Sequence, residues 1–187
     1  LLLFLRPYVA FWVSVGIMVS FAGAFIFMPA TGVSLNMLSM FAFLLVIGVV
    51  VDDAIVVGEA IHNEVEAGGK GVNAAIIASQ LMAKPVFFAV LTTMIAFLPW
   101  LFIGGGTSQF TKHISYTIIF ALSFSLVESF LILPAHLAHM KKQNKHGVYY
   151  RMQGIFAEGL MTFADTVYRP IVRLALRFRY FTVAFFI

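Results

Sequence analysis

Long uncharged stretches separated by short polar ones dominate the chain. Tyr8–Phe27 carries no charge, Leu35–Val57 is apolar except for Asp52 and Asp53, Val86–Ile103 is uncharged with Pro99 near its end, and Ile114–Leu133 holds only Glu128. About 20 apolar residues in helix cross a bilayer core of roughly 30 Å, and a lipid-facing backbone must satisfy its own hydrogen bonds. The pattern therefore predicts four transmembrane helices, joined by Met28–Ser34, Glu59–Pro85 and Gly104–His113 and followed by a long polar stretch from Pro134. Gly16, Ser20 and Gly23 in the first span are small residues of the kind that let membrane helices approach closely.

Two further apolar runs, Leu1–Leu5 and the one opening at Tyr180, are too short to span and read as the tail of a preceding helix and the start of a following one. From Ile155 the apolar residues Ile155, Phe156, Leu160, Phe163, Val167, Ile171 and Leu174 recur at steps of mainly three and four, with Glu158, Thr162, Arg169 and Arg173 between them. That is the period of one helix face and predicts a helix lying in the cytoplasmic interface, bent or restarted at Pro170. A helix packed on a soluble domain outside this chain is the plainer alternative. The expected fold is all-α: a polytopic membrane bundle of four complete transmembrane helices, partial helices at both ends and one interfacial helix. The expected divisions are transmembrane helices over 1–137, a cytoplasmic linker with the amphipathic helix over 138–179, and the start of the next transmembrane helix over 180–187.

Composition agrees with this picture. Of 187 residues, 61% are hydrophobic and 11% charged, against a globular norm of about half and a quarter. Of the 12 basic residues, Arg6, Lys70, Lys84, Lys141, Lys142, Lys145, Arg151, Arg169, Arg173, Arg177 and Arg179 fall on one side of a four-span topology, leaving Lys112 on the other. Short loops rich in Lys and Arg stay cytoplasmic, so both tails are expected inside and the turn Gly104–Gly106 outside.

The Asp52-Asp53 pair demands explanation. A carboxylate near mid-bilayer costs about 2.5 to 3.5 kcal/mol, so the pair costs about as much as a dozen apolar residues at roughly 0.3 to 0.6 kcal/mol each recover. The two side chains must therefore face protein or water. Neighbours on a helix point about 100° apart, which lets both reach one interior wedge. Every Lys and Arg lies outside the four predicted spans. Either one of the pair carries a proton much of the time, or the compensating cation sits on a helix outside this chain. Both alternatives describe a proton-binding site; helix packing through the acids is the structural alternative.

Two other acids are secondary candidates. Glu128 lies near the cytoplasmic end of its span, where snorkelling or a hydrogen bond to a neighbouring helix would satisfy it. Glu59 lies seven residues beyond Asp52, two turns along the same face, as a solvated end charge or an exit-side acid. Little else carries chemistry. His62-Asn63-Glu64-Val65-Glu66 lacks the His-Glu-x-x-His order of a zinc protease, and the nine Met residues form no cluster. His136 and His139 flank a membrane exit. No nucleotide site, metal site or cofactor site is expected, nor any enzymatic activity. Adjacent Asps cannot flank one peptide bond from opposite sides, which argues against an intramembrane aspartyl protease.

Gly48-Val49-Val50-Val51-Asp52-Asp53-Ala54-Ile55-Val56-Val57-Gly58-Glu59 resembles the fourth transmembrane helix of the resistance-nodulation-division (RND) transporters. More narrowly, it is similar to their hydrophobe/amphiphile efflux branch, the Acr-type multidrug pumps. Thr31-Gly32-Val33-Ser34-Leu35-Asn36-Met37-Leu38-Ser39-Met40, Phe102-Ile103-Gly104-Gly105 and Leu133-Pro134-Ala135-His136-Leu137 resemble further stretches of the same family, whereas Gly58 and Glu128 depart from its best-known members. The resemblance implies that the four spans are family helices three to six and that Leu1–Leu5 is the tail of helix two. It also implies that Asp52 and Asp53 are proton-relay carboxylates, paired with a Lys of the transporter's second half. Implied with them are drug/proton antiport driven by the proton gradient without a cofactor, a multi-pass place in the bacterial inner membrane, and a homotrimer working with a periplasmic adaptor and an outer-membrane channel. A protein-translocation or lipid-exporting RND relative, or a noncatalytic membrane scaffold, is the alternative.

Overall fold

The computed structural model describes residues 6–140, 154 and 158–186. Leu1–Leu5 and the basic residues Lys141, Lys142, Lys145 and Arg151 lie outside them, so the expectations placed there are not addressed. The chain divides into two compact units, one spanning Leu5–Lys142 and the other built mainly from Gln143–Ile187. Among the described residues all regular structure is helical.

The first unit holds four membrane-length helices. Helix α1 covers Pro7–Phe27, with Pro7 in the first turn, where its missing N–H costs nothing. A 3₁₀ turn, Met28–Thr31, and Gly32 at φ 71° reverse the chain. Helix α2, Met37–Glu66, begins at a capping box: Asn36 accepts hydrogen bonds from the Leu38 and Ser39 amides at 2.9 and 3.1 Å, and Ser39 Oγ accepts one from the Asn36 amide at 2.8 Å. Helix α3, Gly71–Phe97, continues into a 3₁₀ turn over Leu98–Phe102. Helix α4, Ser108–Val127, passes through a π turn, Glu128–Ile132, into the short α5, Leu133–Leu137.

Four spans, helix termini within a few residues of Phe27 and Phe102, and the turn before α2 agree with the apolar pattern. The expected connector Glu59–Pro85 does not exist as a loop. Helices run through both of its ends, and only residues 67–70 separate α2 from α3. Hydropathy hid these extensions because they keep a narrow inward stripe, Ile61 and Val65 on α2 and Ala74, Ala75 and Ala78 on α3, beside polar outer faces. Pro85 sits inside α3, where it removes one backbone hydrogen bond; it lies on the exposed side, where the distortion disturbs no packing. At 30 residues, α2 is about 45 Å long, more than a bilayer core requires.

Packing follows the small residues. Val9, Val13, Gly16, Ser20 and Gly23 form the buried stripe of α1, spaced three and four apart. A Cβ on Gly23 would overlap the Phe124 ring of α4, and one on Gly58 would lie 2.9 Å from Val9 Cγ1. Phe43 of α2 meets Phe21 and Phe25 of α1 at ring separations of 4.8 Å each. At the other end, Arg6 pairs with Glu66 at 3.4 Å and lies 3.3 Å from His62 Nδ1. Trp12 stacks on His136 at 3.7 Å, and the Tyr8 hydroxyl donates to the His136 carbonyl at 3.1 Å.

In the second unit, residues 158–163 are helical, a π turn spans Ala164–Tyr168, and a helix restarts over Arg169–Arg177 with Pro170 in its first turn. Phe178 breaks it before the helix Arg179–Phe186.

Replacing Asn36 with Ala removes the acceptor for two helix-start amides and is expected to cost about 1 kcal/mol locally. Amide hydrogen exchange at Leu38 and Ser39 should then quicken about fivefold in the full-length protein, with Asn36→Ser restoring most of the protection.

Candidate functional site

Helix α2 carries a buried ridge, Val46, Val50, Asp53, Ala54, Val57 and Ile61, at steps of three, four and one along its inward face. Asp53 is the polar member of that ridge. It is 7% exposed, between Val50 and Val57 at 1% and 0%, and its Oδ2 has no hydrogen-bond partner among the described residues. Sixteen residues separate it from the start of α2 at Met37, placing it about 24 Å along a helix of about 45 Å. It therefore falls inside an apolar core of about 30 Å at any seating of the helix.

Asp52 does not share this environment. It is exposed on the face of α2 that no other described helix covers, in line with Val56 and Glu59. The adjacency of the two acids thus points them at different surroundings, one into the bundle and one away from it, instead of into a single wedge. Glu59 lies two turns below Asp52 on the same uncovered face, as the spacing predicted. It lines an open groove of about 510 Å³ between α2 and α3 with Val56, Asn63, Glu64 and Leu81.

No cation reaches either Asp among the described residues. The ion pairs found are Arg6–Glu66 and Arg169–Asp165. No three His, Asp or Glu side chains come together as a metal-binding set among the described residues. His62 belongs to the Arg6 and Glu66 cluster, and His136 to the stack on Trp12.

Glu128 turns into the bundle, away from the interface. It is 2% exposed, and its carboxyl group occupies the space over Gly16 of α1 where any other residue would carry a Cβ. The π turn that begins at Glu128 closes on a hydrogen bond from the Leu133 amide to the Glu128 carbonyl. Pro134 follows in the next turn, and its ring and missing amide disfavour a regular α-helix there.

The packing register brings Glu128 level with Asp53. Helices α1 and α2 run antiparallel, with Phe25 against Phe43 at one end and Val9 and Val13 against Gly58 toward the other. Counting equal rise along both helices from Gly58 sets Gly16 opposite residues 51–55 of α2. Two buried acids from different helices thus lie at one depth, within about one turn, with α1 contacting both helices. This convergence was not legible from spacing, since it depends on which residue of α1 lacks a side chain.

Four helices long and apolar enough to cross a bilayer, packed as one bundle, are the architecture of a multi-pass membrane protein. The family model for AcrB/AcrD/AcrF matches residues 1–187, and the chain belongs to that family, within the RND transporters. The chain is 35% identical over 142 residues to multidrug resistance protein MdtC of Salmonella paratyphi B, and equally to those of Salmonella heidelberg and Salmonella newport. The match covers 76% of this chain, and the chain spans about 14% of the length of these curated relatives.

If Asp53 serves function and not packing, replacing it with Leu removes an unmet buried polar group at little cost in shape. Such exchanges are neutral or stabilising by about 1 to 3 kcal/mol. The unfolding midpoint of full-length Asp53→Leu protein in mixed micelles should stay or rise; a fall of that size would make Asp53 a structural tie.

Proposed function

We propose that this chain is the proton-handling membrane segment of an inner-membrane efflux transporter that exchanges protons for hydrophobic or amphiphilic compounds. Asp52 and Asp53 are the carboxylates that take up and release the proton. The observation that carries this reading is the seat of Asp53: mid-helix, walled by Val50, Ala54 and Val57, with an oxygen left without a partner. A carboxylate in such a seat is stable only when protonated or matched by a cation, so it alternates between those two conditions.

Asp52 supplies the route by which the second condition is met. An ionised side chain on the uncovered face of α2 is too costly to leave against lipid, so a cation-bearing helix from another part of the transporter packs there. Protonation of either Asp breaks that ion pair, and α2 then moves against its partner helix. Proton binding shifts this equilibrium only through its different affinity for the two packings. Drug export follows if the porter region, which lies outside this chain, prefers one of them. The same reading places Gly104–Gly106 on the periplasmic side, by the bias of basic residues, and the whole transporter in a homotrimer with a periplasmic adaptor and an outer-membrane channel.

Support from relatives is of the same kind: MdtC of Salmonella paratyphi B is named a multidrug resistance protein. The test uses the full-length transporter. Asp53→Asn keeps size and polarity but cannot carry the proton, and efflux of a fluorescent dye from energised cells should fall by about a hundredfold, the scale on which removal of an essential proton-transfer group acts. Efflux at the unaltered rate, with normal amounts of protein in the membrane, would overturn the proposal.

A further inference from the structure

The proposed function leaves one buried acid unused. Glu128 lies on the inward face of α4 between Ser125 and Ser129, and all three are at least 98% buried. The Ser125 hydroxyl and Asp53 Oδ2 at the same depth have no hydrogen-bond partner among the described residues, whereas the Ser129 hydroxyl lies beside the Glu128 carboxyl group. Unmet buried polar atoms are uncommon, and each normally has a reason. Trp12 Nε1, Ser79 Oγ and Ser115 Oγ are unmet elsewhere in the bundle, while Ser125 lies one turn from Glu128 on the same helix and Asp53 is level with it on α2.

The elements packed against the π turn are α1, α2, α4 and α5. None offers a cation at this depth. Helix α1 has Tyr8 as its one titratable side chain, at its far end. On α2 the level acid is Asp53, while Asp52 and Glu59 face outward and His62 lies with Arg6. Helix α4 carries Lys112, His113 and Tyr116 near its opposite end, and α5 carries His136 against Trp12. An ionised Glu128 is thus unmatched in its seat, and a neutral one fits it.

Gly16 and the π turn define the movement. The carboxyl group fills the notch left by the missing Cβ, so seating Glu128 requires α1 and α4 to be closely packed. A π turn is a local excess of one residue per turn, a place where a helix can rewind without breaking elsewhere. We propose that Glu128 forms a second proton-binding site, apart from the Asp52-Asp53 pair, which takes up a proton as it seats over Gly16 and gives it up as α4 parts from α1 at the π turn. Proton occupancy and α1–α4 packing are then one equilibrium. The inference deepens the proposed proton coupling and rests on it for its physiological sense, but its test reads protonation directly.

Dicyclohexylcarbodiimide modifies protonated carboxyl groups in apolar surroundings. After treatment of the full-length transporter in its native membrane, cyanogen bromide cleavage at Met94 and Met140 releases residues 95–140, in which Glu128 is the sole acidic side chain. Cleavage at Met40 and Met82 releases 41–82, with Asp52, Asp53, Glu59, Glu64 and Glu66. We expect label on fragment 95–140 in mildly acid buffer, falling about tenfold per pH unit once the group ionises. Glu128→Gln should abolish it. Gly16→Ala, whose Cβ overlaps the carboxyl group, should lower it about tenfold while sparing fragment 41–82.

Fragment 95–140 without label at any pH, or with label independent of pH, overturns the inference; the unaltered protein alone decides this, whatever the fate of the variants. Should Asp53→Asn leave efflux intact while fragment 95–140 still titrates, the antiport reading fails and the second site stands. Should Asp53→Asn abolish efflux while fragment 95–140 does not titrate, the reverse holds.

Discussion

Taking a carboxyl group out of water without a counter-ion costs several kcal/mol, and α2 does so halfway along its length. The helix can bear it because the neighbours of Asp53 on the ridge, Val46, Val50, Val57 and Ile61, are buried apolar side chains that recover a similar sum. That sum holds the helix in place but is the same in both protonation states, so the ionised acid still needs a cation. A strongly tied Asp, hydrogen-bonded on both oxygens, would hold one protonation state and could not cycle. The unmet Oδ2 of Asp53 is therefore what a proton carrier needs and what a structural tie lacks.

The small residues of α1 make the dry environment possible. Lipid chains are as apolar as leucine, so membrane helices associate through close contact and not through exclusion of water. Gly16, Ser20 and Gly23 share one stripe with Val9 and Val13, and α4 uses the first and last of these small residues differently. At Gly23 it inserts an aromatic ring, a contact with one good geometry. At Gly16 it inserts a carboxyl group, a contact whose quality depends on charge. On the proposed protonation of Glu128, one helix pair has a fixed end and a conditional one.

The number of spans was legible because the bilayer dictates length, and the candidate acids were legible because charge is rare in such spans. Helix ends beyond the membrane were not: residues 59–66 and 71–85 are polar enough to resemble a loop, and their alanine and isoleucine stripe is narrow. The orientation of neighbouring acids was also out of reach. A step of 100° separates Asp52 from Asp53 in any helix, but which of them faces the bundle depends on the neighbours available. Glu128 shows the same limit: its distance from the span's end left both snorkelling and a bond to a neighbouring helix open, and the vacancy at Gly16, more than a hundred residues away in the chain, draws it inward.

Exposed faces of the first unit differ in their chemistry. Within its apolar span, helix α3 exposes Phe87, Phe88 and Ile95, large apolar side chains that lipid satisfies at no cost. Helix α2 exposes Phe41, Leu44, Leu45 and Val56 in the same manner, yet Asp52 lies among them and Glu59 below. Lipid cannot satisfy that stripe whenever Asp52 is ionised, and water alone would strand the leucines. Only a protein surface that is apolar for most of its length and basic or hydrated at one level meets both demands. Under the proposed antiport, the face bearing Asp52 would be the contact through which charge on this bundle acts on the rest of the transporter, and a change of state at Asp53, one residue away on the same backbone, would alter the field there.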